Sequence, residues 1–344
     1  MRAAVFYGSK ETPQLRVENV PEPSELKTDE LVIRIAACGV CHTDAGYIEH
    51  GVPTFKKPPL ILGHEPSGIV ESVGEAFSNK FSKGDRVLIP PVLTCGYCDA
   101  CAIGRGNLCR NQIMIGNHVD GAYAEFLKVP AREIAKLPSK IPLKEGAIIS
   151  DAVSTPYHAV THRARVQPGN SVVVIGCGGV GLGTVQMARA AGGQVIAVDI
   201  VPEKLELAAK LGAIETINAN ETDVIPAIRK LTNGGAEIAM EVIGNPITIN
   251  QAFNCVRPGG RVCVVGYSPK PVELAAGRIM FREIEILGSL GCRPVDFPKV
   301  IKLVEQGAID IKPLVTHTFP LEKITEAFDT LRRGIGVRSI ITMD

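Results

Sequence analysis

The chain reads as an α/β protein in which a doubly wound parallel sheet is attached to a β-rich domain. Three observations predict this. A glycine-rich turn at 176–181 is flanked by two all-apolar, β-branched runs. Strand and helix patterns alternate from about 153 to 288, and the residues before about 90 form short strands separated by Gly and Pro turns.

In chain order, the opening MRAAVFYGSK lacks the long apolar core of a signal peptide and reads as a first strand. Strands follow at 31–35, 68–73 and 86–89, then a cysteine-bearing loop at 95–109 and a strand at 122–129. Beyond 153, strands at 172–175, 195–198, 214–217, 237–242, 261–265 and 284–287 alternate with helices that include 182–191, 203–211 and 222–231. Six strands complete a doubly wound sheet. The tail (helix 297–306, strand 314–319, helix 321–332, strand 339–342) is therefore expected to return to the first domain. The expected division is 1–152 with 289–344, and 153–288.

The turn at 176–181 carries chemistry. Gly176 permits a tight turn, Gly178 lets the backbone approach a pyrophosphate, and Gly181 lets the helix pack on the strand; Gly179 and Val180 complete the turn. The helix start offers unpaired N–H groups and partial positive charge to phosphates. Asp199 ends the second strand 18 residues beyond Gly181, near the ~20 expected of an acid that holds an adenosine ribose. A carboxylate there accepts ribose hydroxyls and repels a 2′-phosphate, which favours NAD over NADP. The alternative is a glycine turn of some other α/β protein.

Composition narrows the partners. The 344 residues are 45% hydrophobic and 21% charged with a net charge of +1, so no electrostatic footprint for nucleic acid or an acidic membrane is present. No apolar run approaches the ~20 residues of a membrane-spanning helix. A cytoplasmic protein with a small-molecule partner is expected. In such a chain, cysteines serve more often as metal ligands or small buried hydrophobes than as disulfides.

Four of the ten cysteines fall within fifteen residues: Cys95, Cys98, Cys101 and Cys109, spaced C-x2-C-x2-C-x7-C. This spacing suits tetrahedral zinc with no open position, hence a structural site. An iron–sulfur cluster is the rival, but its bacterial run has a last gap of three followed by Pro, where Arg110 follows here. A catalytic zinc needs three ligands and a vacancy. Cys41, His64 and Asp151 are the candidates, each weak alone. Cys38, Cys177, Cys255, Cys263 and Cys292 are expected to fill apolar space.

The stretches GVCHTD (39–44), GHE (63–65), the four-cysteine loop and GNHVDGAYAEF (116–126) form a pattern with the glycine turn, EVIG (241–244), PGG (258–260) and VRS (337–339). Over essentially its whole length the sequence resembles the zinc-containing alcohol dehydrogenases of the medium-chain dehydrogenase/reductase superfamily. The resemblance implies a GroES-like catalytic domain, a Rossmann NAD-binding domain, two zinc ions per chain and a homodimer or homotetramer. It implies that Cys41, His64 and Asp151 hold the catalytic zinc, with Glu65 beside it and Asp44 orienting His64. It places Lys204 with Asp199 at the ribose, His42 and Arg338 near the pyrophosphate, and Ile243 and Val265 at the cofactor. The implied reaction is reversible oxidation of an alcohol by NAD⁺, with Thr43 accepting the hydroxyl proton. Many relatives continue the proton relay through a His where this chain has Gly46; His50 is the nearby substitute. Leu93, Tyr47, Ile48 and Leu290 are apolar candidates for a substrate pocket. Residues 109–117 and 150–157 also resemble 6-hydroxycyclohex-1-ene-1-carbonyl-CoA dehydrogenases, which makes an alicyclic hydroxyacyl-CoA the alternative substrate. Two further alternatives are a zinc-free reductase of the same superfamily, which would lack the cysteine loop and GHE, and a noncatalytic NAD-binding protein.

Overall fold

The computed structural model describes residues 1–11 and 14–343. The chain divides into two compact units, one of residues 1–151, 293–306 and 311 onward, the other of 152–292 and 307–310.

The second unit is built on six parallel strands in the order Glu215–Asn218, Gln194–Asp199, Ser171–Ile175, Ala236–Glu241, Val256–Val264 and Glu285–Gly288. Counted along the chain this is 3-2-1-4-5-6, the doubly wound order whose ligand crevice lies at the carboxyl ends of strands 1 and 4. Val172, Val173 and Val174 are wholly buried, because helices on both faces leave no side of this strand to solvent. Gly176 has φ +102°, a left-handed conformation that a β-carbon opposes. A β-carbon on Gly181 would overlap the Gly176 carbonyl oxygen, so helix Gly179–Ala190 can start this close to the strand only with glycine there.

The fifth strand begins five residues before the expected 261, at Val256. Ala236 pairs with Val256 and Ile238 with Arg261, so a bulge absorbs Pro258-Gly259-Gly260 instead of the strand ending there.

The first unit holds a seven-stranded sheet in the order Ala135–Lys136, Arg86–Leu88, Glu65–Val73, Glu30–Gly39, Arg338–Thr342 and Val315–Pro320, with Phe126–Pro130 also pairing on Glu30–Gly39. Arg2–Phe6 sits between Leu15–Asn19 and Leu60–Ile61 in a smaller sheet. Leu31, Ile33 and Ile35 alternate inward while Arg34 faces out, the period-2 pattern of a half-buried strand. Cys38 is fully buried as well, although strict alternation would turn it outward with Arg34: the register shifts between Ile35 and Ala37, and residues 37–39 are buried in succession.

Two expectations fail here. The strand expected at 122–129 covers only Phe126–Pro130. Residues 122 and 123 instead donate their N–H groups to Gly63 and Leu62, and only an isolated bridge, Ala124 with Ala3, joins this stretch to the first strand. Helix His42–Glu49 went unpredicted; it runs through Gly46, a poor helix former, and buries Asp44 along with Ala45, Tyr47 and Ile48. Among the described residues, no helix is long and apolar enough to cross a membrane.

Candidate functional site

Sheet register brings the dispersed ligands together. Gly39 pairs directly with Glu65 across the central strands of the first unit. Cys41, two residues past Gly39, and His64, one before Glu65, therefore emerge at the same sheet end. A β-carbon on Gly39 would overlap the Glu65 carboxylate, so glycine makes room for that acid. The 3₁₀ turn Ala147–Ser150 docks there as well, since Ser150 Oγ donates to the Pro66 carbonyl at 3.0 Å, and Asp151 follows it.

Asp151 Oδ2 lies 3.8 Å from Cys41 Sγ and 3.9 Å from His64 Nε2. Donor atoms of Cys41, His64, Glu65 and Asp151 all lie within 4.8 Å of one another. Ligands at ~2.0–2.3 Å around a tetrahedral zinc stand about 3.3–3.8 Å apart, so a small contraction closes the set. Cys41 and His64 are buried and Asp151 is partly so. A thiol, an imidazole and two carboxyls gathered out of water fit a divalent cation.

The electrostatics agree. Burial pushes the Glu65 carboxyl up to about 7, with Arg338 pulling it down and the Asp151 charge adding to the rise. Burial opposes charge on His64, but Asp44 and Cys41 together outweigh it and hold the imidazole well above its ordinary value. Burial likewise opposes the Arg338 guanidinium, yet Glu65, Cys41 and Asp151 raise it further. Arg338 Nη1 stands 3.0 Å from Glu65 Oε1, but no aligned hydrogen bond reaches either Glu65 oxygen from the described residues. This contact is ionic and leaves carboxylate lone pairs for a metal. Arg338 also donates to the Val40 carbonyl at 3.0 Å. Nothing in the apolar run RSIIT announces an Arg338–Glu65 pair, and the sequence reading missed it.

The remaining first-unit candidates divide. Thr43 is exposed, with Oγ1 3.7 Å from Cys41 Sγ. His42 is exposed at the start of the same helix. His50 caps the helix at its far end, about 10 Å along the axis from Thr43 at 1.5 Å per residue, and does not join the cluster. Leu93, Tyr47 and Ile48 belong to the packed core of the unit, while Leu290 is exposed.

The four-cysteine loop contains a short helix, Asp99–Ala102, and a 3₁₀ turn, Gly106–Leu108. Sulfur separations are 3.4 Å for Cys95–Cys109, 3.5 Å for Cys98–Cys101, 3.8 Å for Cys98–Cys109 and 3.9 Å for Cys95–Cys101. Four sulfurs ~2.3 Å from one zinc stand about 3.8 Å apart, so this tetrahedron is nearly formed. Burial works against ionising Cys95, but N–H groups of Tyr97 and Cys98, with the Cys109 and Cys98 thiols, outweigh it and bring that thiol down to about 6. Burial pushes Cys109 up to about 12.

In the second unit, Asp199 ends its strand with a fixed carboxylate. Oδ2 accepts the Cys177 N–H at 2.6 Å, and Oδ1 accepts those of Ile200 and Val201 at 2.8 and 3.0 Å. A β-carbon on Gly178 would meet nothing within 4 Å, so open space faces the helix start, where Gly179 and Val180 follow. Lys204 lies in the first turn of helix Pro202–Lys210, half-buried. Ile243 lies against Gly176 and remains half exposed. Val265 donates its N–H to the Glu241 carbonyl. The buried Glu241 carboxylate accepts the N–H groups of Ile243 and Gly244 and the Thr248 hydroxyl through one oxygen, which fixes the turn after the fourth strand.

Comparisons with known proteins agree with this geometry. Residues 27–139 match the family model "Alcohol dehydrogenase GroES-like domain", and residues 179–306 match "Zinc-binding dehydrogenase". The chain is 35% identical to the sorbitol dehydrogenase of Bacillus subtilis (strain 168), over 96% of this chain and 93% of that one. It is 36% identical to an alcohol dehydrogenase of Geobacillus stearothermophilus, over 97% and 96%. The solved alcohol dehydrogenase TADH from Thermus sp. ATN1 superposes with a TM-score of 0.92 at 30% identity, covering 99% of both chains. The chain belongs to the zinc-containing alcohol dehydrogenase family of medium-chain dehydrogenases. It is an oxidoreductase acting on CH–OH groups, with zinc and a nicotinamide dinucleotide as cofactors.

Proposed function

We propose that this chain oxidises a primary or secondary alcohol reversibly to the aldehyde or ketone with NAD⁺. In this reading Cys41, His64 and Asp151 hold a catalytic zinc, and Cys95, Cys98, Cys101 and Cys109 a structural one. The observation that carries the reading is the convergence of thiol, imidazole and carboxylate within 4.8 Å from three separate parts of the chain. Zinc acidifies an alcohol hydroxyl by lowering its pKa toward ~7, and nicotinamide is the hydride acceptor.

The protein's own groups do the rest. Asp44 fixes His64 through Nδ1, which leaves Nε2 as the ligand atom. Thr43, exposed beside Cys41, takes the hydroxyl proton by hydrogen bond. Glu65, paired with Arg338, stands beside the metal without filling its open position. Asp199 and Lys204 hold the ribose. Gly176 to Gly181, Ile243, Val265, His42 and Arg338 make up the proposed cofactor set. His50 faces solvent, so any relay through it runs over water.

The test is NADH formation from NAD⁺ across simple primary and secondary alcohols, a polyol and an alicyclic hydroxyacyl-CoA. Turnover of at least one class is expected, and turnover of the thioester alone would move the assignment to the hydroxyacyl-CoA. No NADH from any of them would overturn the reading. A homodimer or homotetramer is also proposed. Its support is the exposed pair Met280 and Phe281, close in sequence to the edge strand Glu285–Gly288. A monomer in sedimentation velocity would reject it.

A further inference from the structure

We propose that Tyr123 is a positioning residue for the Cys41–His64–Asp151 centre, its phenol locking the Asp44 carboxylate that orients His64. The inference rests on the reading of that cluster as a metal site.

Asp44 is wholly buried, so each of its oxygens needs donors from the protein. Oδ1 receives His64 Nδ1 at 3.2 Å and the Gly63 N–H at 3.4 Å. Oδ2 receives Tyr123 Oη at 3.0 Å. The Gly39 carbonyl lies at a similar 3.1 Å from the phenol, but one hydroxyl has one proton, and the ionised acceptor makes the stronger bond.

Tyr123 also controls the turn that presents His64. Its backbone N–H bonds the Leu62 carbonyl, and its ring occupies the space where a β-carbon on Gly63 would sit, at 2.9 Å. Gly63 has φ +95°, so both the conformation and the close ring require glycine there. One wholly buried side chain therefore fixes the histidine through its turn and through its carboxylate partner.

The ring is further held edge-on to Phe328, with centroids 6.1 Å apart. Removing the hydroxyl alone leaves that packing intact and strips Oδ2 of its donor. A carboxylate without that donor is freer to turn, and His64 loses its fixed tautomer and ring angle.

The test uses the zinc-loaded protein, with Tyr123→Phe, Asp44→Asn and the double variant. Zinc release to the chromogenic chelator 4-(2-pyridylazo)resorcinol is followed in time. Wild type is expected to release two equivalents per chain. Loss of an outer partner of a metal-bound histidine costs about 10–100-fold in affinity. Tyr123→Phe, one step further out, is expected to speed release of one equivalent about tenfold and to leave the other unchanged. The double variant should release zinc no faster than Asp44→Asn, because the phenol acts through that carboxylate. Release from Tyr123→Phe within twofold of wild type would overturn the inference, as would independent, multiplying effects in the double variant. A wild type that yields only one equivalent would instead overturn the metal site itself.

Discussion

Replacing Asp151 by alanine is expected to leave one zinc per chain where the wild type holds two, and to lower kcat/KM by at least about 10⁴-fold. Lowering a pKa from 15.7 to ~7 is worth up to roughly 12 kcal/mol at ~1.36 kcal/mol per unit, and each such unit is tenfold in rate. A 10⁴-fold loss therefore claims less than half of the effect. Glu65 is the group that could defeat the prediction, since its carboxyl belongs to the same cluster. To step in, it would have to turn an oxygen onto the metal and weaken its ion pair with Arg338, 3.0 Å away, a buried guanidinium that depends on that counter-charge. Metal analysis decides: two zinc ions retained in Asp151→Ala would reject Asp151 as a ligand. Asp151→Cys, which keeps one negative donor there, is expected to hold both. Acid should act on the same site. Zinc needs the neutral imidazole, and against the effect of burial Asp44 and Cys41 hold His64 above its ordinary pKa, so protons compete earlier than at a solvated histidine. As pH falls through that raised value, the Cys41–His64–Asp151 equivalent is expected to be released.

What could be read from the sequence was what local chemistry enforces. The strand at 172–175 was legible because burial on both faces demands an unbroken apolar run, and 31–35 because burial on one face demands alternation. The four-cysteine loop was legible because its ligands are neighbours in sequence. Cys41, His64 and Asp151 were different, since a cross-strand pairing of Gly39 with Glu65 and a bond from Ser150 to Pro66 unite them. Spacing encodes neither contact, so only resemblance to a family found the set. Helix His42–Glu49 escaped for a related reason. It buries Asp44, a residue that marks a solvent face in most helices, because His64 and Tyr123 wait for it from other strands and turns. Residues 122–125 look like strand by composition, but the N–H groups of residues 122 and 123 are committed to the turn before His64, and that of Glu125 to the Arg2 carbonyl.

Asp199→Gly is expected to reduce the preference for NAD over NADP, measured as the ratio of kcat/KM values, by about 10²-fold. Two effects sum to that figure. A carboxylate accepting ribose hydroxyls contributes about 1.5–3 kcal/mol, and its removal also lifts the repulsion of a 2′-phosphate. Lys204, in the first turn of the next helix, then meets the phosphate as a cation. The substitution has a second consequence that must be kept apart from the first. Asp199 accepts three backbone N–H bonds, from Cys177, Ile200 and Val201, so glycine leaves those donors to water and costs about 1–3 kcal/mol of stability. A ratio taken on one preparation cancels that loss, because both cofactors see the same folded fraction. Asp199→Asn separates the two further. It keeps an acceptor for Ile200 and Val201 but removes the charge, and it is expected to lie between wild type and glycine in preference. An unchanged ratio in Asp199→Gly would mean that the ribose is held elsewhere. The carboxylate would then serve only to tie the Cys177 backbone to the end of its strand.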